Sequence, residues 1–318
     1  MDRTLCRKLG IAVAAAALAG CGGSQLRTGG LHPVPQAGEL ATRSGRQPLL
    51  YAAAYPASVY VFSYPEGIEQ GQLSGFDSQF NVASLCTDSS GNVFVSGYMG
   101  YGHHDGRVYE FARGGTTPMA QFDEDYEAVG CAVDPTTGDL AVSNYFSSKN
   151  WTGSVAIFAK GSGKPTYYND PISRWFAFCA YDNRGNLFVS LSNYDKGVME
   201  LPKGSKSFKK IEVADGTVVR SLQWYGGKLV LSSYNKGIRS VKLDRVKIQN
   251  GVAQIVETTT LTAGRRMPTA SQFWIDGAHV VGAGRGLKGL FMWNYPAGGA
   301  PSKTINDTAY WEGVTVSR

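Results

Sequence analysis

The densest group of potential metal ligands is His103, His104 and Asp105, in a loop flanked by glycines from Gly97 to Gly106. Imidazole nitrogens and carboxylate oxygens bind divalent metals. Two adjacent histidines do not easily reach one ion from a rigid site, so the pattern favours a solvated loop over a metal site. Further carboxylates and amides fall between short apolar segments and are candidate ligands or acid–base groups: Glu124, Asp125, Glu127, Asn144, Asn193, Asp195 and Glu312.

Common catalytic motifs are missing from the sequence. It contains no phosphate-binding P-loop, no Gly-x-Ser-x-Gly elbow, no His-Glu-x-x-His and no Cys-x-x-Cys. No nucleophile with an adjacent base can be identified either. Motifs therefore indicate no enzyme class.

Three cysteines remain once Cys6 and Cys21 are assigned to the N-terminal segment. Cys86, Cys131 and Cys179 each precede a turn aspartate, Cys86 by two residues and the other two by three. Because side chains alternate along a strand, Cys86 should face the opposite way, which argues against a three-thiol metal site. The spacing favours small buried residues packed between sheets, with a Cys131–Cys179 disulfide as the alternative.

One four-residue strand recurs along the chain and must position these residues. Copies begin at residues 93, 140, 187 and 229, separated by 47, 47 and 42 residues, with related segments at 50–53 and 280–283. Each is preceded by a turn containing Asp or Gly and followed by a second apolar strand. A period of about 40–50 residues with several short strands per unit predicts a β-propeller. The turn residues Asp88, Asp134 and Asp182 are predicted to be structural.

Six copies of the strand pair can be counted. Residues 312–317 look like a first strand without a blade, and residues 49–73 look like a blade without its first strand. We therefore predict an all-β fold, a six-bladed propeller of four-stranded blades, closed when the C-terminal strand joins the N-terminal blade. This architecture resembles the NHL-repeat and gluconolactonase/regucalcin-like propellers. The resemblance covers nearly all of residues 49–318, but it implies fold rather than function.

The N-terminus predicts export. Residues 1–8 carry a small positive charge, and an alanine-rich apolar run follows over residues 9–18, too short to span a bilayer. The run ends Leu18-Ala19-Gly20-Cys21, which resembles the lipobox of bacterial lipoproteins. The resemblance implies a signal peptide over 1–20, lipid attachment at Cys21 and a protein anchored to a bacterial membrane. The expected location is the outer membrane, with the protein facing the periplasm or the cell surface. Residues 21–48 are predicted to be a flexible tether and 49–318 the propeller.

Charge is distributed unevenly. Residues 66–139 contain twelve acidic and two basic residues, a net charge of −10, and residues 196–247 contain twelve basic and four acidic residues, a net charge of +8. An acidic and a basic sector are therefore expected. The basic sector is either a membrane or polymer contact or, as the sequence favours, a set of solvated edge strands. No basic–aromatic motif indicates nucleic-acid binding.

The loops that join second to third strands, and those that enter each first strand, share one face of a propeller, and that face is rich in aromatic residues here. Exposed aromatic residues often mark ligand contacts, although the repeated tyrosines could equally be wedges between blades. The candidate ligand-binding residues are Tyr98, Tyr101, His103, His104, Tyr145, Trp151, Arg174, Trp175, Tyr194, Tyr234 and Trp311.

Two functions are compatible with this pattern. The first is a non-enzymatic binding or scaffolding lipoprotein whose loop face contacts an envelope protein, a glycan or a small molecule, and which needs no cofactor. The second follows from the resemblance to gluconolactonase-like enzymes, which hold a divalent cation near the axis with Glu, Asn and Asp. In a lactonase or esterase of that kind, the cation, Ca²⁺ or another divalent ion, would be held by Glu127, Asn144, Asn193 and Glu312.

Overall fold

The fold is described from a computed structural model. It describes residues 47–100, 104–145, 152–171, 173, 175–191, 196–213, 217–235, 240–262, 270–284 and 288–318. Within these ranges the regular secondary structure is β-strand, with a single 3₁₀ turn at Ala159–Gly161. The described ranges contain no helix with the length and apolar character needed to cross a membrane.

The strands follow one another with short connections. Their bounds are β1 Leu49–Ala54, β2 Ser58–Ser63, β3 Glu69–Gln72, β4 Phe80–Thr87, β5 Val93–Met99, β6 His104–Phe111, β7 Ala120–Glu124, β8 Ala128–Val133, β9 Leu140–Asn144, β10 Ser154–Phe158, β11 Thr166–Asn169, β12 Phe176–Tyr181, β13 Leu187–Leu191, β14 Val198–Leu201, β15 Lys209–Val213, β16 Val219–Tyr225, β17 Lys228–Asn235, β18 Ser240–Gln249, β19 Val252–Thr262, β20 Ala270–Asp276, β21 His279–Gly284, β22 Lys288–Asn294 and β23 Lys303–Ser317.

The recurring strand is confirmed at all six positions. Its copies lie in β1, β5, β9, β13, β17 and β21. The strand after each copy is also confirmed, with one shift: in the fifth copy β18 begins at Ser240, and residues 238–239 lie outside the described residues. These strands are buried on both faces, which explains their nearly unbroken apolar sequence.

The sheets are built from antiparallel neighbours. β4–β7 form one four-stranded sheet and β8–β11 another. β12–β15 and β16–β19 are joined into one sheet by a parallel pair in which Glu212 lies opposite Val252 and Val213 opposite Ala253. β20–β22 and β1–β3 are joined into one sheet by β23.

β23 joins the two ends of the folded chain. Its first half pairs with β22, with Thr304 opposite Phe291, and its second half pairs with β1, with Ser317 opposite Leu49. The pairing with β1 matches the sequence prediction that residues 312–317 complete the N-terminal blade. The sequence did not indicate that one continuous strand pairs with both β22 and β1.

The turn aspartates are structural, as predicted. The Asp88 carboxylate accepts hydrogen bonds from the backbone N–H groups of Ser90 and Asn92, at 2.9 and 2.8 Å. Asp134 accepts from Thr136 in the same way, and Asp182 accepts from Arg184 and Asn186. Each carboxylate satisfies backbone donors that the tight turn leaves without a partner.

Apolar side chains fill the space between neighbouring sheets, and a few buried polar side chains bond across it. Gln272 of β20 donates from Nε2 to the carbonyl oxygen of Leu85 at 2.7 Å. Its Oε1 accepts from the N–H groups of Leu85 and Val314, each at 3.1 Å. Gln223 makes the same two-way contact with Ile275. These side-chain amides fix the position of the first strand of one sheet relative to the first strand of the adjacent sheet.

The cysteine prediction is wrong for two of the three residues. Cys86 of β4 and Cys131 of β8 form a disulfide, with Cα atoms 5.7 Å apart, and among the described cysteines only Cys179 is a free, buried thiol. Cys86 does face the opposite way, since it pairs with the second residue of the recurring strand and Cys131 and Cys179 pair with the third. Adjacent sheets meet through opposite faces, so opposite orientation brings Cys86 to Cys131. Cys179 instead lies 4.0 Å from the carbonyl oxygen of Ala141.

Removing this disulfide should destabilise the fold. The disulfide closes a segment of sequence separation 45, so replacing Cys86 and Cys131 together by alanine is expected to lower the free energy of unfolding by at least about 2 kcal/mol in urea titrations. Peptide mapping without reductant should recover the Cys86–Cys131 link, whereas Cys179 should alkylate only after unfolding. A Cys131–Cys179 link would contradict the observed pairing.

Candidate functional site

The strongest polar cluster lies where β7 and β9 end and β8 and β10 begin. We call Glu124, Glu127, Asn144 and Ser154 the loop-end cluster; all four are buried. Local sequence explains the placement. Glu124 follows Phe122 by two residues, so both side chains point inward from β7. The residue opposite Glu124 in β6 is Gly106, which has no side chain to occupy the space that the Glu124 carboxyl fills. A Cβ on Gly106 would lie 2.6 Å from Glu124 Oε1.

Asn144 organises the cluster. Its Nδ2 donates to Glu124 Oε2 at 2.9 Å and to Ser154 Oγ at 3.0 Å. Within the described part of the chain, Glu124 Oε1 and Asn144 Oδ1 are buried acceptors without a hydrogen-bond partner. Buried polar atoms of this kind need a donor or a cation, so the two oxygens mark a place where a proton, a water molecule or a ligand group can be held.

Burial controls the ionisation of Glu124. Desolvation raises the pKa of its carboxyl well above the usual value, Asn144 opposes this by donating to the carboxylate, and the charge of Asp125 adds to the increase. The same surroundings raise the pKa of the nearby Tyr167 phenol to about 12, mainly through burial. The Tyr167 hydroxyl accepts a hydrogen bond from the Asp125 N–H at 3.0 Å. Glu124 is therefore a buried carboxyl that favours its neutral form.

An aromatic pair lies beside the cluster. Tyr145, just after β9, and Trp175, just before β12, are half-buried and stack with ring centroids 5.7 Å apart and planes within 3°. The Tyr145 N–H donates to the carbonyl oxygen of Glu127 at 3.0 Å, which ties the pair to the loop-end cluster. Residues from two neighbouring sheets thus form one partly exposed aromatic surface on the predicted loop face.

The other predicted site residues have different placements. Trp311 is completely buried, so the expectation that it presents an exposed aromatic surface is wrong. Tyr98 and Glu312 are half-buried in β5 and β23. His104 lies in β6 and Tyr234 in β17, and the side chains of these two residues are outside the described part of the structure. Several predicted residues lie wholly outside the described residues: Tyr101, His103, Trp151, Arg174, Asn193 and Tyr194.

Sequence reasoning placed Glu124 among the candidate ligands or acid–base groups without predicting its burial, and it missed Ser154. The signal for Glu124 was available, because its spacing from Phe122 matches an inward-facing position. Ser154 gives no comparable signal, since it is recognisable only after β9 and β10 pair and bring it opposite Asn144. Among the described residues, no three His, Cys, Asp or Glu side chains are grouped so as to hold a metal ion.

Comparisons with solved structures define the class of fold. A chain in the crystal structure of a nidogen/laminin complex matches with a TM-score of 0.64 and 12% identity, over 85% of this chain and 98% of that chain. A protein of unknown function from Bacteroides caccae matches with a TM-score of 0.61 and 11% identity, over 86% of this chain and 99% of that chain. These likenesses and the strand-only architecture define a β-propeller fold. No protein-family model and no curated protein sequence matches the chain.

Proposed function

We propose that this protein is an envelope-anchored lipoprotein whose six-bladed propeller serves as a binding or scaffolding module. The count of six follows from reading β1–β3 with the end of β23, β4–β7, β8–β11, β12–β15, β16–β19, and β20–β22 with the start of β23 as blades. In this arrangement β23 closes the ring.

The binding proposal depends mainly on the Tyr145–Trp175 pair. Aromatic side chains that remain partly exposed on loops supply large contact area at small entropic cost. The buried loop-end cluster fixes the backbone beneath them, so the pair is preorganised. The ligand classes that suit this surface are a protein loop, a glycan ring or a small apolar molecule. The comparison chain from the nidogen/laminin structure comes from a protein complex, which is compatible with a binding role.

Truncating the aromatic pair should weaken binding without unfolding the protein. We expect Tyr145→Ala and Trp175→Ala each to reduce capture of the membrane partner or glycan at least tenfold, because each removes a central aromatic contact. Binding is measured with purified protein against envelope extracts and a glycan array. Tyr55→Ala is the matched control, since Tyr55 follows the copy of the recurring strand that begins at residue 50 by five residues, as Tyr145 follows the copy that begins at residue 140, and Tyr55 is 52% exposed. Equal effects at all three positions would contradict the assignment.

The anchor has its own test. Wild-type protein should incorporate labelled lipid, whereas Cys21→Ser should not and should shift to the soluble fraction, because one sulfur carries the attachment. The Cys86–Cys131 disulfide supports export independently, since stable disulfides form in oxidising compartments. Unchanged lipid labelling of Cys21→Ser would contradict the lipobox prediction.

A divalent-cation-dependent hydrolase is the second candidate, and one observation favours it. Asn144 Oδ1 is a buried oxygen without a hydrogen-bond partner beside the carboxyl-bearing loop of Glu127. Oxygen ligands of this type suit Ca²⁺, which Asn144 and Glu127 would help to hold, and the cation would polarise a carbonyl. Calcium titration calorimetry with wild type and Glu127→Gln tests this candidate. No measurable binding would end it.

A further inference from the structure

A run of exposed lysines lies on β15 and the turn before it. Lys206, Lys209 and Lys210 are all exposed, whereas Ile211 and Val213 point inward. The Lys210 ammonium forms an ion pair with Glu212 at 2.9 Å, with both side chains at least half exposed. Lys206 and Lys209 add positive charge to the same stretch, where Lys209 lies opposite Glu200 of β14.

The β15–β19 junction extends this surface onto the next sheet. Exposed Glu212 lies opposite exposed Val252 in the parallel pair, so the two side chains share a face. Along β19 the exposed positions alternate as Val252, Gln254 and Val256, with Val252 37% and Val256 51% exposed. In β18 the exposed Lys247 lies opposite Gln254, between the two valines.

The resulting surface combines positive charge with exposed apolar groups. We define the basic rim as Lys206, Lys209, Lys210, Lys247, Val252 and Val256. Lysines near a bilayer are attracted to anionic headgroups, and their apolar stems let them reach lipid phosphates while neighbouring apolar side chains enter the interface. The exposed Val252 and Val256 supply the apolar groups that would enter the interface beside these lysines.

We propose that the basic rim docks on an anionic phospholipid bilayer and sets the orientation of the propeller. This inference rests on the proposed lipid anchor. A tether of 28 residues, Cys21 to Pro48, has an r.m.s. reach of about 30 Å, so several faces could meet the membrane and charge decides between them. The segment of net charge −10 over residues 66–139 is repelled by the same surface. Docking at the rim leaves the loop face with Tyr145 and Trp175 accessible.

The test uses the full chain carrying Cys21→Ser, so that the lipid cannot hold it to the membrane. Cosedimentation is measured with vesicles of phosphatidylcholine alone, which set the baseline, and with vesicles containing about a third phosphatidylglycerol. We expect binding above the baseline only to the anionic vesicles, and its loss in 0.5 M salt. Lys206→Gln, Lys209→Gln and Lys247→Gln combined should weaken binding about a hundredfold, at about fivefold per lysine.

Matched variants separate docking from net charge. Lys160→Gln, Lys164→Gln and Lys288→Gln remove the same charge from exposed positions outside the rim and should weaken binding less than fivefold. Val256→Gln should weaken it severalfold, whereas Ile68→Gln, at a position that is exposed elsewhere (61% against 51% for Val256), should not. Equal losses in the two lysine triples, or no binding to anionic vesicles at low salt, would overturn the proposal. Lipid labelling of wild-type Cys21 is scored separately, so failure of the anchor and failure of the rim are distinguishable.

Discussion

Replacing Trp311 by alanine is expected to lower the free energy of unfolding by about 3–5 kcal/mol. The Trp311 side chain is completely buried and packs edge-on against Tyr60 and Phe62, with ring centroids 5.4 and 6.1 Å away. It lies where β23 pairs with Ala54 of β1. The substitution therefore opens a cavity at the junction that joins the two ends of the chain. Urea and thermal unfolding measure the loss.

Two variants show that the loss comes from packing. Trp311→Phe should cost less than the alanine variant, because the indole Nε1 has no hydrogen-bond partner among the described residues and the smaller ring still fills part of the space. Tyr310→Ala should cost less than about 1 kcal/mol, since Tyr310 is 49% exposed and its ring contacts Lys288 at the surface. A Trp311→Ala protein of normal stability but impaired binding would restore the interpretation of Trp311 as a ligand-face residue.

The contrast between Trp311 and the recurring strand shows what the sequence could predict. Burial on both faces gives the recurring strand a local apolar signature, and all six copies could be located from it. Trp311 has no such signature. Residues 306–310, Asn-Asp-Thr-Ala-Tyr, contain no apolar run, yet β23 continues through them because it changes partner from β22 to β1 along its length. That continuity depends on pairing between distant segments.

The disulfide shows the same limit at a single pair of residues. Alternation correctly predicted that Cys86 and Cys131 face opposite ways within their own sheets. Whether opposite orientation separates or joins them depends on how neighbouring sheets stack, which is a property of the ring rather than of the strand. Within the loop-end cluster, Glu124 was predictable as inward-facing, but its contact with Asn144 required the packing of β7 against the next sheet.

Stability should fall as the pH rises because of Glu124. Burial raises the pKa of this carboxyl well above its usual value in the folded state, so the native protein retains a proton that the unfolded chain has released. Its contribution to stability is fully present below the unfolded-state pKa of about 4.3 and is lost as the pH rises through the folded-state value. Within that window, the free energy of unfolding should decrease by about 1.4 kcal/mol per pH unit relative to a protein without this group.

Glu124→Gln removes the titration and keeps the shape. The amide oxygen can accept from Asn144 Nδ2 as Glu124 Oε2 does at 2.9 Å, and the amide nitrogen takes the place of Glu124 Oε1. In urea unfolding from pH 4 to pH 9, the stability of the variant relative to wild type should increase as the pH rises. Glu69→Gln, at an exposed position in β3, should give a profile parallel to that of wild type. Parallel curves for Glu124→Gln and wild type would mean that the folded protein holds Glu124 ionised. The two unpartnered oxygens would then have to be satisfied by a cation or a water molecule. Calcium titration of the same variants would decide between the two.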